Sequence, residues 1–449
     1  MRTSAVNSKY IFSQGKRFEG KFYLNENSFL SMEVERHGEK SQPLSNLATV
    51  FNPPVFKRQF CKPTLRSVPY FQSSDVPIAE ERSQTYVFKG QAEALNLLVQ
   101  RGDILVTGFG TIGNTRLVSK FQNGTCYANN VCRIRTNDGV FRGFIYAFLS
   151  SKFGVAQLNK NASGSVVRYI EAPGIKKTLV PNFSESFQKE VDDLIQESAQ
   201  LREEAAEALK KAHDFIEEKF DVASEKKSSR VSIQSIISSH NKRFEAFYHT
   251  SSNRSVYDYI TSNFEYKTLG ELTSNIFRPG IFKREYVANG VTFLGGADIL
   301  MAIPDSDKKL SFRQVEKMPE LKVKKNWILV TCGGTIGNTV LIDAQLEKCV
   351  ISQHVMRVVP KDDILKGYLF AVLSSKIGKD LITMFTTGSV IPQIEAHHLE
   401  LVPVPLLDKG LMEQIDGLVS SYVTKIEESK QKEIAAINMV EAEIEKWNN

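Results

Sequence analysis

The 449-residue sequence lacks the features that mark several large classes of protein. Its cysteines form no CxxC pair and show no metal-ligand spacing, which favours reduced thiols over a disulfide framework or a zinc site; they are Cys61, Cys126, Cys132, Cys332 and Cys349. No apolar run approaches the roughly 20 residues that span a bilayer, and residues 1–18 lack the continuous apolar stretch of a signal peptide. We therefore expect a cytoplasmic protein without a metal site or a membrane segment.

A catalytic constellation is also missing, although two segments resemble enzyme motifs. Residues 108–113, GFGTIG, fit the GxGxxG pattern, but no helical apolar face follows them, as a dinucleotide site requires. A glycine-supported tight turn between two strands explains them better. Residues 52–55, NPPV, lack the aromatic residue of the Asn-Pro-Pro-aromatic loop with which adenine methyltransferases hold the target amino group, so a proline-stiffened turn is the better interpretation. His354, His397 and His398 have no metal-ligand partner at a useful spacing.

The charge is modest in total but unevenly distributed. The net charge is +6, yet residues 183–220 carry −6 and residues 408–449 carry −4, so the remainder of the chain carries +16. Two basic bodies therefore alternate with two acidic segments. This distribution favours a polyanionic partner, although a solvated basic surface explains the same charge equally well.

The most informative feature of the sequence is an internal repeat. Residues 104–118, ILVTGFGTIGNTRLV, return as ILVTCGGTIGNTVLI at 328–342. Further pairs recur at an offset of 223 to 226 residues: Arg17-Phe18-Glu19 with Arg243-Phe244-Glu245, VFKR at 55–58 with IFKR at 281–284, FLSSKFG at 148–154 with VLSSKIG at 372–378, Gly164-Ser165-Val166 with Gly388-Ser389-Val390, and LVP at 179–181 with VPVP at 402–405. Self-similarity at this long period indicates two copies of one module, and hence two copies of one site.

Each copy ends in a segment with helical periodicity. Asn182 is a suitable N-cap, with Glu185 at the third helical position as in a capping box. Apolar or small residues then recur mostly at alternating steps of four and three, which is a heptad seam: Phe183, Phe187, Val191, Leu194, Ser198, Leu201, Ala205, Ala208, Ala212 and Phe215. A looser version follows Pro405: Leu411, Ile415, Leu418, Tyr422, Ile426, Ile437, Val440, Ile444 and Trp447. We expect two long helices, the first roughly 57 Å long, whose apolar stripes pack on each other.

Within each module the pattern is mixed. Short β-type runs interrupted by Gly, Asn and Pro predict strands at 68–71, 104–107, 117–120 and 131–134, and again at 291–294, 328–331, 340–342 and 355–359. A helix is expected after each set, near 141–160 and 365–385. Between the first long helix and the second module lies a Ser- and Lys-rich segment, 224–242, which is typical of a linker.

The order of these motifs resembles the DNA-specificity (S) subunits of type I restriction–modification enzymes. The shared order is module, long helix, module, long helix, with GDILVT…GTIGN at 102–114 and its counterpart at 326–338. In both copies there follow Ser-Ser-Lys-(Phe/Ile)-Gly, then Gly-Ser-Val, then a hydrophobic stretch that ends in proline just before the helix. The segment SQHVMRVVP at 352–360 is also similar to this family. The resemblance covers almost the whole chain.

The resemblance implies an α+β fold with an internal pseudo-two-fold repeat. Two similar α/β target-recognition domains are then separated by two long antiparallel helices that form a coiled coil. The antiparallel order also follows from the linear sequence, because the first helix leads from module one to module two and the second must run back. The implied domains are target-recognition domain 1 at 1–182, a central conserved helix at 183–223, the linker and target-recognition domain 2 at 224–405, and a C-terminal conserved helix at 406–449.

The resemblance also implies a function. Each module is expected to read one half of a split site in double-stranded DNA, and the helices are expected to dock two methyltransferase (modification) subunits. Those partners would bind S-adenosylmethionine and methylate adenine, and restriction/translocase subunits would cut unmodified DNA. The S subunit itself is expected to be no enzyme and to bind no cofactor. A two-armed protein-interaction scaffold without specific DNA readout is the alternative that the sequence leaves open.

The candidate DNA-binding residues are the basic, polar and glycine-rich positions that recur in both copies. Basic residues that follow the proline turn are candidates for phosphate or guanine contacts: Lys57, Arg58, Lys283 and Arg284. Asn114 and Asn338 end the glycine turn. Backbone amides could approach phosphate at Gly164, Ser165, Gly388 and Ser389. The last candidates flank a predicted strand: Asn129 and Asn130, which match Gln353 and His354. Motifs shared by modules that read different sequences should be mainly scaffold, so true base readers should differ between the copies.

Overall fold

The protein divides into two compact units. The structure is a computed structural model that describes residues 8–13, 23, 26–79, 83, 85–163, 168–220, 231–238, 242–244, 248–249, 252–388 and 392–448. Unit 1 comprises Met1–Glu203 and Glu428–Asn449, and unit 2 comprises Glu204–Glu427. Each unit therefore contains one copy of the repeat, module 1 or module 2, together with a portion of each long helix. Much of the predicted linker, including 224–230 and 239–241, lies outside the described residues.

Module 1 is built from short strands and helices around two sheets of four strands. In chain order its elements are α1 (Ser8–Ser13), α2 (Glu26–Arg36), β1 (Ser41–Pro43), β2 (Ala48–Phe51), β3 (Phe60–Cys61), β4 (Ser67–Phe71), β5 (Tyr86–Phe88), α3 (Lys89–Ala94), β6 (Ile104–Thr107), β7 (Thr115–Leu117), β8 (Cys126–Tyr127), β9 (Val131–Thr136), α4 (Arg142–Ser150), α5 (Lys152–Lys160), α6 (Ala172–Ile175) and β10 (Leu179–Pro181). The order β2-β9-β6-β7 forms an antiparallel sheet, and β3-β5-β4-β8 forms a second sheet whose β4–β8 pair is parallel. Strands β1 and β10 pair separately.

Module 2 repeats the antiparallel sheet and the parallel strand pair of module 1, although its second sheet has three strands. Its elements are α8 (Ile233–Ser238), α9 (Ser252–Asn263), β11 (Tyr266–Thr268), α10 (Leu269–Leu272), β12 (Thr273–Phe277), β13 (Tyr286–Leu294), β14 (Lys309–Leu310), α11 (Phe312–Lys317), β15 (Ile328–Thr331), β16 (Thr339–Leu341), β17 (Val350–Ile351), β18 (Val355–Pro360), α12 (Lys366–Ser374), α13 (Lys376–Met384), α14 (Ala396–Glu400) and β19 (Pro403–Pro405). The sheet β12-β18-β15-β16 matches β2-β9-β6-β7 strand for strand, and β13 and β17 pair in parallel as β4 and β8 do. The predicted internal repeat is confirmed.

The strand predictions are confirmed where an apolar run is bounded by a turn. Strands β6 and β15 coincide with the predicted runs, and every residue in both is buried. The prediction of a strand at 117–120 was wrong, because β7 begins directly after the glycine turn, where Thr115 pairs with Val106. Strand β16 is likewise one residue earlier than expected. A strand that returns from a tight turn takes its register from the partner strand, and its own periodicity decides less.

Each predicted helix after the sheet is in fact two helices. The breaks fall at Ser151 and Ser375, whose side chains accept hydrogen bonds from the amides of Gly154 and Gly378 and so cap the second helix. A β-carbon on Gly154 would lie 2.1 Å from the carbonyl oxygen of Phe148, and one on Gly378 would lie 2.0 Å from that of Val372. The recurring Ser-Lys-(Phe/Ile)-Gly motif is thus the corner between two packed helices, and glycine is required by this close approach.

The long helices are α7 (Glu185–Glu217) and α15 (Lys409–Glu445). The 33 residues of α7 give a length of roughly 50 Å. Asn182 was wrongly predicted as its N-cap: the Ser184 hydroxyl accepts a hydrogen bond from the amide of Phe187, and the Asn182 side chain accepts one from Gln42 at 2.8 Å. The buried positions of α7 include the predicted seam residues Val191, Ser198, Ala205, Ala208 and Ala212.

The apolar stripe of α7 is wider than a heptad seam. Ile195 and Ile216 are also buried, although neither belongs to the predicted 4–3 pattern. Ile195 packs in a cluster that contains both Phe144 of module 1 and Val440 of α15. The helix therefore buries one face against the partner helix and an adjacent face against the module, which requires a broader stripe than a two-stranded coiled coil.

The two long helices run antiparallel in unit 1. At one end, the rings of Phe183 and Trp447 lie 5.6 Å apart between centroids. Farther along, the buried Ser198 hydroxyl donates to the backbone oxygen of Ser429 at 2.9 Å. As α7 proceeds from 183 to 198, its contacts on α15 therefore move from 447 back to 429. Trp447 also lies beside module 1, since its ring is 5.4 Å from that of His37.

Carboxylates on the long helices cap the helices of the modules. In unit 1, Asp192 of α7 accepts from the amide of Gly143 at 2.5 Å, and in unit 2, Asp416 of α15 accepts from the amide of Gly367 at 2.7 Å. In each unit the other long helix supplies a second carboxylate. Glu441 of α15 accepts from the amide of Lys152 in unit 1, and Glu217 of α7 accepts from the amide of Lys376 in unit 2. Acceptors at helix N-termini satisfy free amides and complement the helix dipole.

These caps predict a measurable difference between two adjacent aspartates. Asp192→Ala removes the acceptor of the Gly143 amide and should lower the free energy of unfolding by about 1 kcal/mol, the usual cost of losing a helix cap. Asp193, whose carboxylate pairs with Lys189 on an exposed face, is the matched control, and Asp193→Ala should change stability by less than about 0.5 kcal/mol. Urea unfolding gives the loss, and hydrogen exchange at the first turn of α4 localises it. Equal losses in both variants would contradict the capping role.

Candidate functional site

Four segments of module 1 converge at one end of its antiparallel sheet. They are the end of β2, the β6–β7 turn (108–113), the residues before β9 (128–130), and residues 163 and 168–172. The amide of Gly108 donates to the Asn130 oxygen at 3.0 Å, and the amide of Ile170 donates to the Gly108 oxygen at 2.8 Å. The Asn52 side chain donates to the Asn129 oxygen and accepts from the Ala172 amide at 2.7 Å. We call these segments the loop cluster of module 1.

Module 2 builds the same loop cluster with different side chains. The amide of Cys332 donates to the His354 oxygen at 3.0 Å, and the amide of Ile394 donates to the Cys332 oxygen at 3.2 Å. At the position of Asn52, the Arg278 guanidinium instead forms an ion pair with Glu395 at 2.6 Å. Asn52 and Arg278 therefore hold the loop clusters of their modules together by different interactions, hydrogen bonds in module 1 and an ion pair in module 2. In module 1 both polar groups of the Asn52 side chain are engaged in this fastening.

The glycine turn is held closed from inside. The hydroxyl of Thr107 donates to the Thr111 oxygen at 2.5 Å and accepts from the Asn114 amide at 3.0 Å, and Thr331 accepts from the Asn338 amide at the same distance. Gly113 has φ +94° and Gly337 has φ +83°, a left-handed conformation that favours glycine. The predicted glycine turn between two strands is confirmed. Asn114 and Asn338 contribute their backbones to it, and Asn338 also accepts from Lys379 at 2.9 Å.

The basic candidates follow the proline turn in both modules. The side chains of Lys57, Arg58 and Lys283 are exposed. Their segments are tied down by equivalent glutamines, since Gln91 donates to the backbone oxygen of Lys57 at 3.1 Å and Gln314 donates to that of Lys283 at 2.7 Å. The backbone of each segment is thus fixed while its lysine remains free to extend into solvent.

Arg284 differs from these because it contacts the loop cluster. Its guanidinium lies 5.5 Å from the ring centroid of Phe293 and donates to the Gln353 side chain at 3.2 Å. Gln353 is in turn 3.3 Å from the His354 ring nitrogen. Arg58, by contrast, packs over Tyr70 at 5.8 Å. The structure therefore brings together three of the predicted residues of module 2: Arg284, Gln353 and His354.

Other candidates are placed without such contacts, or lie outside the description. Asn129 and Asn130 are half-buried in the loop cluster of module 1, where their backbone oxygens accept the hydrogen bonds given above. Gly388 has φ +89° and is exposed. The predicted Gly164, Ser165 and Ser389 lie outside the described residues.

Two fully buried arginines, which sequence reasoning missed, hold the loop clusters. Arg133 of β9 and Arg357 of β18 are each 0 % exposed. Burial lowers the pKa of both guanidinium groups to about 10, so both remain charged at neutral pH. Neither forms an ion pair among the described residues. An arginine between apolar residues of a strand, in VCRIRT and in VMRVVP, is the signal that was available in the sequence.

The partners of these arginines are backbone oxygens around the loop. Arg133 donates to the oxygens of Leu97 and Tyr127, at 2.6 and 3.3 Å. Arg357 donates to Ser352 and Val355, at 2.9 and 2.6 Å, and also to Leu321 and Ile351. The carbonyls of 352 and 355 flank Gln353 and His354, so the guanidinium fixes the backbone that presents those side chains. We call Arg133 and Arg357 the clamp arginines.

The clamp predicts a large loss of stability on removal of one guanidinium. Arg357→Met keeps an apolar side chain of adequate length but leaves several buried carbonyls without a donor, and each such group costs about 1–3 kcal/mol. We expect a loss of about 3 kcal/mol in the free energy of unfolding, and a smaller loss for Arg357→Lys, whose single ammonium cannot reach all four oxygens. Arg313→Met, on the exposed face of α11, is the control. Denaturant unfolding measures the three variants, and a stabilised or unchanged Arg357→Met would refute the clamp.

Searches for other kinds of site give negative results in the part of the chain that the structure describes. No group of three or more His, Cys, Asp or Glu side chains there is arranged to hold a metal ion. Within the same ranges, no helix has both the length and the apolar content required to cross a bilayer.

Part of the chain matches the model of a known protein family. Residues 261–438 match the family model described as type I restriction modification DNA specificity domain. No curated protein matches the chain. Three solved structures are similar over 91 % of this chain: a type I restriction–modification S subunit from M. genitalium (14 % identity, 95 % of that chain, TM-score 0.35), a structure of type I R-M complex assembly and conformational transition (16 %, 96 %, 0.30), and the HsdS subunit from Thermoanaerobacter tengcongensis (16 %, 95 %, 0.28).

The family match falls on module 2, and module 1 repeats the strand order and loop cluster of module 2. The resemblance indicated by the order of the motifs is confirmed. Residues 261–438 therefore carry the DNA specificity domain of type I restriction modification systems.

Proposed function

We propose that each loop cluster reads one half of a split site in double-stranded DNA, and that the chain thereby directs its partner enzymes to that site. The observation that carries this proposal is the contrast within the loop clusters. Their backbones are held by the same hydrogen bonds in both modules, whereas Asn129 and Asn130 of module 1 are replaced by Gln353 and His354 in module 2. A constant scaffold with variable polar side chains suits two modules that read different base sequences.

The chemistry of duplex DNA fits the residues around each cluster. Phosphates are neutralised by lysine and arginine, while base edges in the major groove are distinguished by hydrogen bonds from Arg, Asn, Gln and other polar side chains. Lys57 and Lys283 are exposed beside the clusters and suit phosphate contacts. The half-buried Arg284 guanidinium, which the buried Gln353 side chain holds in place, suits a base edge. The exposed Gly388 offers close backbone approach to a phosphate, a role we also propose for the predicted Gly164, Ser165 and Ser389.

Catalysis in this proposal belongs to partner subunits. Two methyltransferase subunits, which bind S-adenosylmethionine, dock on the long helices and methylate adenine, and restriction/translocase subunits cut unmodified DNA. The chain itself contributes recognition, binds no cofactor and acts in the cytoplasm. A two-armed protein-interaction scaffold that lacks specific readout remains the competing function, and the binding experiment below separates the two.

Substitution of the exposed Lys57 and Arg58 should affect DNA binding differently from substitution of Arg284. In the assembled enzyme, Lys57→Gln with Arg58→Gln should weaken binding to all sequences and make the salt dependence shallower, by about 0.9 in log–log slope for each lost phosphate contact. Arg284→Gln should instead relax the preference for one half-site only, because the guanidinium is joined to Gln353. Selection of bound sequences from a random DNA library, repeated at several salt concentrations, measures both effects.

A matched control exists within module 2. Lys361 and Lys366 lie beyond the opposite end of β18 from Gln353, and Lys361→Gln with Lys366→Gln removes two positive charges from the same module. This double variant should retain both half-sites and nearly the wild-type salt slope. If the wild-type enzyme selected no split sequence, the scaffold function would be favoured instead.

A further inference from the structure

The loop cluster of module 1 contains a stacked pair of exposed aromatic rings. Phe109, in the β6–β7 turn, and Tyr169 are 5.4 Å apart between ring centroids, and their planes differ by 13°. Their backbones form an antiparallel bridge. The two residues are 37 % and 36 % exposed, so the stack presents apolar surface to solvent.

Module 2 makes the same backbone bridge with entirely different residues. Gly333 pairs with Gln393 as Phe109 pairs with Tyr169, and the next bridge is also equivalent, Thr387 with Gln393 matching Ser163 with Tyr169. The backbone at this place is therefore constant while the side chains change from two aromatic rings to a hydrogen atom and an amide. A position that determines sequence preference requires both a constant backbone and side chains that differ between the modules.

Gly333 also affects the exposure of His354, a candidate DNA-binding residue. A β-carbon at this position would lie 3.4 Å from Nδ1 of His354, so any larger side chain would begin to cover the imidazole. In module 2, glycine leaves His354 exposed next to Gln393. In module 1, the equivalent bridge carries the Phe109–Tyr169 stack. The two clusters thus present a polar surface in one module and an apolar surface in the other.

We propose that these paired positions, Phe109 with Tyr169 and Gly333 with Gln393, are specificity-determining positions of the two half-sites. The proposal rests on the proposed function and assigns the pairs a chemistry. Aromatic rings contact the thymine methyl group in the major groove, whereas a glutamine amide forms a bidentate pair with adenine. Covering the exposed rings with a thymine methyl also removes apolar surface from water. The rings of module 1 therefore select a thymine, and Gln393 of module 2 selects an adenine.

The test exchanges the residues between modules. Phe109→Gly with Tyr169→Gln gives module 1 the residues of module 2, and selection of bound sequences by the assembled enzyme should show about a tenfold loss of preference at one base pair of its half-site, the lower range for a single base contact. The other half-site should be unchanged. Gln393→Tyr should alter only the half-site of module 2. Tyr169→Phe, which keeps the stack and removes only the hydroxyl, should retain the wild-type preference.

Two outcomes overturn the inference without touching the proposed function. In the first, the wild-type enzyme selects a split sequence and the exchange variant selects the same sequence. In the second, the exchange changes the preference at both half-sites equally, as a general structural defect would. If the double variant does not fold, as judged by thermal unfolding, the single variants Tyr169→Gln and Gln393→Tyr decide the question by the same readout. Failure of the wild-type enzyme to select any split sequence counts against the proposed function itself.

Discussion

A buried guanidinium at the base of each loop cluster supports the side chains that we assign to recognition. The loop before β9 or β18 turns sharply inside the module, so several of its carbonyl groups point into the core, where an unmet acceptor is costly. Arg357 meets four carbonyls with two of its guanidinium nitrogens, and Arg133 meets two carbonyls with one. Burying the charge is expensive in itself, and the lowered pKa records that cost. Both arginines bond the carbonyls of an equivalent pair of residues, Leu97 and Tyr127 in module 1 and Leu321 and Ile351 in module 2. This part of the constraint therefore belongs to the scaffold, and the neighbouring side chains at 129–130 and 353–354 can vary without disturbing it.

The long helices impose a second constraint, since they hold each module through hydrogen-bond acceptors as well as apolar contacts. Asp192 and Glu441 cap the two consecutive helices of module 1, and Asp416 and Glu217 cap those of module 2. Each unit uses one acceptor from each long helix, with the roles of the helices exchanged. Four of the acidic residues in the two helical segments therefore have a structural role as helix caps.

The sequence predicted those parts of the fold that depend on local patterns. The apolar runs at 104–107 and 328–331 are strands, and the alternation after Pro181 and Pro405 is helical, because periodicity and burial agree over these segments. Errors arose where a partner sets the geometry: the register of β7 follows β6, and Ser184 caps α7 in place of Asn182. The clamp arginines were missed because an arginine in a strand usually marks the exposed face, and their acceptors include carbonyls up to 36 residues away. The contrast between Phe109–Tyr169 and Gly333–Gln393 required the backbone bridges to show that these residues are equivalent.

The central claim is that this chain chooses a split DNA sequence for its methyltransferase partners. The most direct measurement is a genome-wide map of methylated adenine in cells that contain the partner methyltransferase, compared with and without this chain. The account predicts one methylated motif of two unlike half-sites separated by a fixed spacer, present only when the chain is made. Identical methylation in both cell populations, or a motif that persists without the chain, would contradict it.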